Sequence, residues 1–595
     1  MSTNKMTNSD IIKKIYIKLL PVQVMVAIVA ALNTLVDSII AGNFLGKEVM
    51  AAMGLFSPVM TIFGLSYVIS VGAQILCCKH IGQGESKKLI SLFSTCVVFL
   101  GSISIIFSAL MIIFRYPLAG FLGATGQSRD FLAQYIFGIS FGLVGQVMMN
   151  MLMCFLSLNN KIKLSYIGMG IMGGLNVGLD ILLVCVLQMG AFGMGLATSI
   201  SHLVTGILLF ISFLKKDQTV YFQFGNFCFG RLGEAAILGM PSAMFTIGAT
   251  IKAYSMNATL LSVGGLDAAA AMAVQGNVCS FVGALPSGIG GTTLMLSGIY
   301  YGEEDQESMK QVLKQSLRIG IFVTVIGMAA IIAFSGPIAS LFYTKGEAVW
   351  LLTRRMLILF PGFLVFNAIF NIFTKIYQSQ GQMTFTNVLS VAENLIMAGI
   401  AMVAAPFFGC DAVWLSFSVS DLLCLILIAI SVFIKSGKIT FRPEDWLKMD
   451  KASCIPPEDR MAFTLHSMED VINISEKIVD FCDEKGINPK YSYIAGLCME
   501  EMAGNIVTYG FKPSKKNSID IRLMYKEGKV VLKIRDDCQQ FDPKSRMEQY
   551  FPEDPLKNIG IRMIGKLASD IDYKNNIGLN VLTITIGDGV CGSAH

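Results

Sequence analysis

The chain has little charge and little histidine: 15% of its 595 residues are charged and four are histidine. Soluble domains carry about 25% charged residues, so a chain this poor in charge and 54% hydrophobic keeps most of its length in lipid. The four histidines speak against a histidine-based metal centre. The fourteen cysteines contain no Cys-x-x-Cys pair and no regular spacing, which speaks against a zinc site or a disulfide framework. No GxxxxGK[ST] stretch occurs, so pumping driven by a P-loop ATPase is disfavoured. A concentrated basic stripe is also missing. The net charge of +5 suits the cytoplasmic face of a membrane protein better than a nucleic-acid surface. The opening MSTNKMTNSDIIKKIYIKLL sets lysines before an apolar run but lacks a small-residue cleavage site. The run continues to about residue 42, too long for a signal-peptide core, and reads as a retained first span.

What is present in quantity is apolar length. Stretches of membrane-spanning length appear twelve times, at approximately 14–42, 49–78, 88–114, 130–157, 163–187, 191–214, 234–261, 268–300, 315–342, 349–376, 384–406 and 411–435. Basic loop residues gather on one side (Lys13, Lys14, Lys79, Lys161, Lys215, Lys310, Lys375 and Lys435 among them), and fewer fall on the other (Lys47, Arg115, Arg129, Lys345, Arg354, Arg355). That asymmetry predicts a multi-pass protein of the cytoplasmic membrane with both ends of the membrane part in the cytoplasm.

The two halves of the membrane part match at an offset of roughly 220. Gly46–Gly54 (GKEVMAAMG) aligns with Gly265–Ala273 (GLDAAAAMA), Pro21 with Pro241, and Asn176 with Asn394. The paired residues lie in odd-numbered spans, which predicts a parallel six-plus-six repeat of two lobes around a cleft suited to moving a solute. The expected divisions are a first lobe at 1–230, a second at 231–437, a proline-containing linker at 438–459 and a soluble α/β domain at 460–595. In that last part helical patterns alternate with strand-like SIDIRLMY and KVVLKIRDD.

Carboxylates at membrane depth are costly unless they face a cavity or a partner. Asp37 sits late in the first span, and Asp180 in the fifth lies one helical turn beyond Asn176, so those two share a face. Oxygen ligands of this kind suit a proton or Na⁺; the other reading for Asp37 is backbone bonding near a helix end. The second half places Glu393 and Asn394 in the matching span but has Ala398 where Asp180 has its counterpart, which points to ion coupling in the first lobe. Asp421, with no partner evident in sequence, reads as a helix-to-helix hydrogen bond. The 34 methionines and 10% aromatics fit an apolar, adaptable cavity, and core packing accounts for them equally well.

Asp37 in its LVDSIIAGNFLG setting, MAAMGL, Pro21 and Pro241, YQSQGQ (Tyr377–Gln382) and NVGLD resemble the MATE family of multidrug and toxic-compound extrusion transporters, over about residues 10–436. The resemblance implies an α-helical membrane protein of twelve spans in two lobes. Such a protein exports organic, often cationic compounds against an inward H⁺ or Na⁺ gradient. By the same resemblance Asp37, Asn176 and Asp180 form the cation site. LSLNNK (Leu156–Lys161) departs from the family's usual fourth-to-fifth loop.

Residues 460–588 resemble the GHKL ATP-binding fold, closest to the anti-sigma-factor kinase type. Glu501-Met-Ala-Gly-Asn505 is similar to the Glu-x-x-x-Asn box, IRDDCQQFDP (Ile534–Pro543) to the adenine-binding element, and NIGIRMIGKLASDIDY (Asn558–Tyr573) to the phosphate-side turn and helix. The resemblance implies ATP with Mg²⁺ held by Asn505, Glu501 as the catalytic base, Asp536 on the adenine amine and Gly560 in the nucleotide-binding turn. Two departures stand against it: Cys538 and Gln540 replace the usual glycines of the second element, and Asn558 replaces a first glycine of the third. A nucleotide-binding regulatory domain and a domain that keeps the fold without the nucleotide are both open on this pattern.

The leading reading is an antiporter of small organic compounds whose tail regulates it through nucleotide or a cytoplasmic protein. The alternative is a membrane signalling protein with a serine-kinase or anti-sigma output domain. Flipping of a lipid-linked saccharide would call for several cationic side chains in the spans, and the sequence offers almost none.

Overall fold

A computed structural model describes residues 8–45, 66–216, 218–437, 442–447, 456–511, 519–526, 528–539, 559–576 and 579–587, with a few isolated positions between 49 and 64 and at 542–543. Most of the Gly46–Gly54 repeat element, the MAAMGL stretch, Gln540, Asn558 and much of the 438–459 linker lie outside the described residues.

Among the described residues, nine stretches are long and apolar enough to cross a membrane, and a pair bent by 50°, Gln127–Ser140 with Leu143–Leu156, makes a tenth. One of the nine, Phe229–Gly302, is two spans, because Gly265 at φ 64 and ψ −155 breaks it. A side chain at that dihedral would be strained, so glycine sets the reversal. Ser66–Gln83 is the described part of the second span. The architecture is therefore twelve spans in two lobes, with Pro21 inside the first helix and Pro241 inside the seventh.

Among the described residues, the lobes are in close contact at one end. Tyr16 donates to the carbonyl of Ile289 at 3.2 Å, linking the first span to the eighth, and a Cβ on Gly72 or Gly239 would strike backbone of the opposite lobe. In the first span Ile12, Tyr16 and Leu19 are buried, whereas Val26, Leu32 and Ile39 further along are exposed. Among the described residues, the cleft is closed at this end.

The C-terminal domain covers the closed end. A five-stranded antiparallel sheet runs in the order β1 (Arg460–Leu465), β2 (Ile519–Lys526), β3 (Lys529–Asp536), β5 (Leu579–Ile586), β4 (Asp570–Asn576). Helices Met468–Glu484, Pro489–Asn505 and Ile559–Leu567 share a core with one face of it, through Ile478, Met499, Ile521, Leu532, Ile534, Ile564 and Ile584. The period-2 alternation of β3 puts Val530, Leu532 and Ile534 in that core and Lys533 and Arg535 on the opposite face. That second face rests on the membrane part. The short turn Pro443–Trp446 adds an anchor: Tyr377 of the tenth span donates to the Trp446 carbonyl at 2.9 Å, and Phe373 lies 5.2 Å from the indole.

Helix Met468–Glu484 starts at a capping box, in which Ser467 Oγ accepts from the Asp470 amide at 3.2 Å and Asp470 accepts from the Ser467 amide at 3.0 Å. Ser467→Ala is expected to destabilise this helix by about 1 kcal/mol, read as faster amide exchange over its first turn.

Candidate functional site

The first-lobe residues singled out in sequence converge. Asp37 and Asp180 face one another, close enough that each acts on the other directly. Asp180 is 0% exposed and Asn176 1%. Among the described residues no hydrogen-bond donor reaches Asp37 Oδ1, either carboxylate oxygen of Asp180, or Asn176 Oδ1. Four buried oxygens without donors, two of them on one carboxylate, are ligands of the type that suits a hard cation or a proton. The Asn176 amide meanwhile donates to Thr198 Oγ1 at 3.5 Å, and Thr198 donates to the Met194 carbonyl at 3.2 Å, which turns the amide oxygen the other way.

Local backbone supports this placement. Past Asp37 the first span runs into a π-helical turn, Ala41–Leu45, and directly after Asp180 the fifth does the same over Ile181–Val186. The two segments pack together through Ile40, Ala41 and Val184. π-turns shift register within a helix and gather at functional positions.

Sequence reasoning missed two contributors. Tyr135 of the fourth span lies within electrostatic reach of both Asp37 and Asp180, and Thr198 of the sixth orients Asn176. Their types are ordinary in membrane helices, so no local signal marks them.

The second lobe holds a cluster of mixed sign. Asn367 donates to Glu393 at 2.8 Å and to Asp421 at 3.4 Å, and Lys252 and Lys375 both act on Glu393. Asp421 does take a helix-to-helix hydrogen bond, as its isolation suggested. One reading needs correction, and one cation had drawn no notice. Lys375 is not a loop residue but lies within the helix Phe363–Ser379, and Lys252 sits in the middle of the seventh span. The spans thus carry two cations that the apolar pattern concealed. Each has a carboxylate near it, and among the described residues no cation is found acting on the first-lobe acidic pair.

In the C-terminal domain, Glu501 and Asn505 end the helix Pro489–Asn505, followed at once by a π-turn over Ile506–Gly510. Gly560 sits in the first turn of Ile559–Leu567, and the Glu501 carboxylate lies over it so closely that a Cβ there would collide. A side chain there would force the Glu501 carboxylate to move. Asp536 closes β3, where its Oδ1 accepts from Asn580 at 2.8 Å and from the Cys538 amide at 2.9 Å. Cys538, which replaces a usual glycine, lies beside Gly510, where an added Cβ would come within 3.1 Å of the cysteine's own. Glu501 and Gly560 are therefore in direct contact, and Asp536 is held by the sheet across the turn that meets the end of the Asn505 segment.

The MatE family model matches residues 21–182 and 241–403, and the histidine kinase-like ATPase domain model matches 466–586. Multidrug export protein MepA of Staphylococcus haemolyticus is 21% identical over 420 residues, covering 69% of this chain and 89% of that protein. The protein of the same name from Staphylococcus aureus is 22% identical over 401 residues, covering 66% and 87%. Among solved structures, MATE in complex with MaL6 superposes with a TM-score of 0.66 at 22% identity, covering 71% of this chain and 98% of that one. An outward-facing multidrug resistance MATE transporter of the MOP superfamily gives 0.66 at 21%, covering 71% and 97%.

Proposed function

The chain belongs to the MATE family and carries a histidine kinase-like ATPase domain, and we propose that it exports organic, cationic compounds across the cytoplasmic membrane in exchange for H⁺ or Na⁺. The observation that carries this reading is the set of buried oxygens on Asp37, Asn176 and Asp180 that no donor reaches among the described residues. A carboxylate pair sharing one buried space is relieved by a single proton or cation. Binding the ion and binding a cationic substrate then oppose each other, which is the requirement for exchange. The multidrug export proteins among its relatives support the substrate class. The basic loop residues support a cytoplasmic location for the C-terminal domain and both ends of the membrane part.

The test is efflux of a fluorescent organic cation from cells expressing the intact chain, Asp37→Asn, and a chain ending at residue 440. Export by the intact and shortened chains but not by Asp37→Asn is expected. Equal export by Asp37→Asn would remove the coupling role.

We assign the C-terminal domain a regulatory nucleotide site. Asn505 would ligate Mg²⁺, Gly560 would admit the phosphates, Asp536 would accept from the adenine amine, and Glu501 would act as base in any phosphoryl transfer. Burial pushes the Asp536 carboxyl above its ordinary range, against the lowering effect of its bonds from Asn580 and Cys538. The adenine amine needs an ionised acceptor. Affinity for ATP is therefore expected to weaken on acidification, starting above the free aspartate value of about 3.9. Equilibrium binding of labelled ATP between about pH 7.5 and 4.5 measures this; an affinity flat across that range would dissociate Asp536 from adenine recognition.

A further inference from the structure

We propose that the C-terminal domain is a clamp. Docked as observed, it grips equivalent loops of both lobes and holds the cleft shut on its own side, and nucleotide binding at the Asp536 end of β3 governs how firmly it docks. The nucleotide part rests on the regulatory site assigned above; the clamp itself rests on the interface.

Three observations carry it. First, the loops held are repeat partners. Lys533 Nζ donates to the Gly82 carbonyl, in the last turn of the second span, at 3.4 Å, and also pairs with Glu303, just past the end of the eighth, at 3.3 Å. Gly82 and Gly302 are 220 residues apart, the same offset as Pro21 and Pro241. Further contacts reach both lobes: Lys14 of the first span pairs with Asp537 at 3.3 Å, Asn160 donates to Asn575 at 3.2 Å, and Lys526 pairs with Glu304 at 2.7 Å.

Second, the lobes themselves touch at these loops. A Cβ on Gly82 would strike the Ile299 carbonyl and sit 2.8 Å from the Glu303 nitrogen, and one on Gly302 would strike the backbone of Lys79. Opening the cleft on this side has to separate Gly82 from Gly302, and the docked sheet spans that seam.

Third, the joint is built from charges that need each other. Glu303 and Asp305 of the transporter meet Asp520, Arg522, Lys533 and Arg535 of the sheet, all 10% exposed or less at the side chain. The transporter side contributes two negative charges and the sheet side a net two positive, so the docked cluster is neutral. Arg535 pairs with Glu303 and lies 3.3 Å from Asp520. Burial opposes ionisation of Asp305, yet the Arg522 and Arg535 guanidiniums and the Ser308 hydroxyl and amide hold its carboxyl well below the usual range. Buried ion pairs of this kind specify a docking geometry while adding little net stability, because desolvation offsets their attraction. A cavity of ≈ 500 Å³ remains between the domains, lined by Gly82, Tyr300, Lys526, Lys533 and Thr583. A polar, incompletely filled joint is one that can release.

β3 joins the two events. Lys533 and Arg535 grip the transporter, the next residue Asp536 is the proposed adenine acceptor, and the one after, Asp537, pairs with Lys14. A nucleotide that moves the end of β3 moves the grip.

The test uses the full-length purified protein. Lys533→Glu with Arg535→Glu is expected to raise amide exchange at least tenfold in residues 79–86 and 300–306 together. Adding Glu303→Lys and Asp305→Lys to that chain is expected to restore protection. Protection unchanged by the double reversal would overturn the clamp, and a change in one loop alone would overturn the two-lobe grip. With the unaltered chain, carbodiimide coupling of Lys526 to Glu304, read by mass spectrometry, is expected to change at least threefold on adding Mg·ATP. ATP that binds by equilibrium dialysis without altering that yield would overturn nucleotide control. ATP that fails to bind would instead refute the nucleotide site, with the exchange result still deciding the clamp.

Discussion

Cells expressing Asp180→Asn are expected to retain a fluorescent organic cation as fully as cells lacking the protein, while the variant folds and reaches the membrane in normal amount. Asparagine keeps the shape of the side chain but can neither carry a proton nor present a charge to Na⁺. Asp180 is fully enclosed, has no hydrogen-bond donor on either oxygen among the described residues, and faces Asp37. Removing one of two facing carboxylates also relieves like-charge repulsion, so thermal stability is expected to hold or rise rather than fall. That sign separates lost coupling from lost folding: an inactive and destabilised variant would point to a structural role, and an active one would take Asp180 out of the ion path. Asp421→Asn is the internal comparison. Asp421 has Asn367 as a donor and Lys252 as a nearby cation, and the substitution is expected to cost export far less.

The membrane architecture was readable because lipid enforces a simple pattern: apolar runs of spanning length, interrupted by charge only where something partners it. Asp37, Asn176 and Asp180 stood out for that reason, and the structure does bring them together. Tyr135 and Thr198 did not stand out, since a tyrosine or threonine in a span acquires meaning only from what faces it across the lobe. Lys252 and Lys375 were hidden differently. Lys375, near a helix end, resembles a loop cation, and Lys252 is outvoted by the apolar residues around it. In the C-terminal domain the alternation KVVLKIRDD correctly signalled a strand. It could not signal that both faces are buried, because Lys533 and Arg535 look like a solvated edge until Glu303 and Asp305, more than 200 residues away, are set against them. Charge complementarity between distant segments has no local signature.

The closed seam between the lobes makes the last large effect. Gly82→Leu places a side chain where the Ile299 carbonyl and the Glu303 nitrogen already sit, both backbone atoms that cannot rotate away. Overpacking a well-fitted contact costs about 1–3 kcal/mol, and each 1.4 kcal/mol is a tenfold change in an equilibrium, so the closed arrangement should lose roughly 5- to 150-fold in population relative to one parted on this side. Export needs both arrangements in turn. It is therefore expected to fall by about 5-fold or more, with faster amide exchange in residues 79–86 and 300–306. The helix-surface control is Gly170→Leu, where a Cβ meets nothing within 4 Å and export should be unchanged. Because Gly82 also supplies the carbonyl that Lys533 grips, the same substitution is expected to lower the yield of Lys526–Glu304 coupling. Loss of export with that coupling intact would mean that the lobes part beneath a domain still docked on the second-lobe loop, placing the hinge between Gly82 and the sheet rather than at the whole interface.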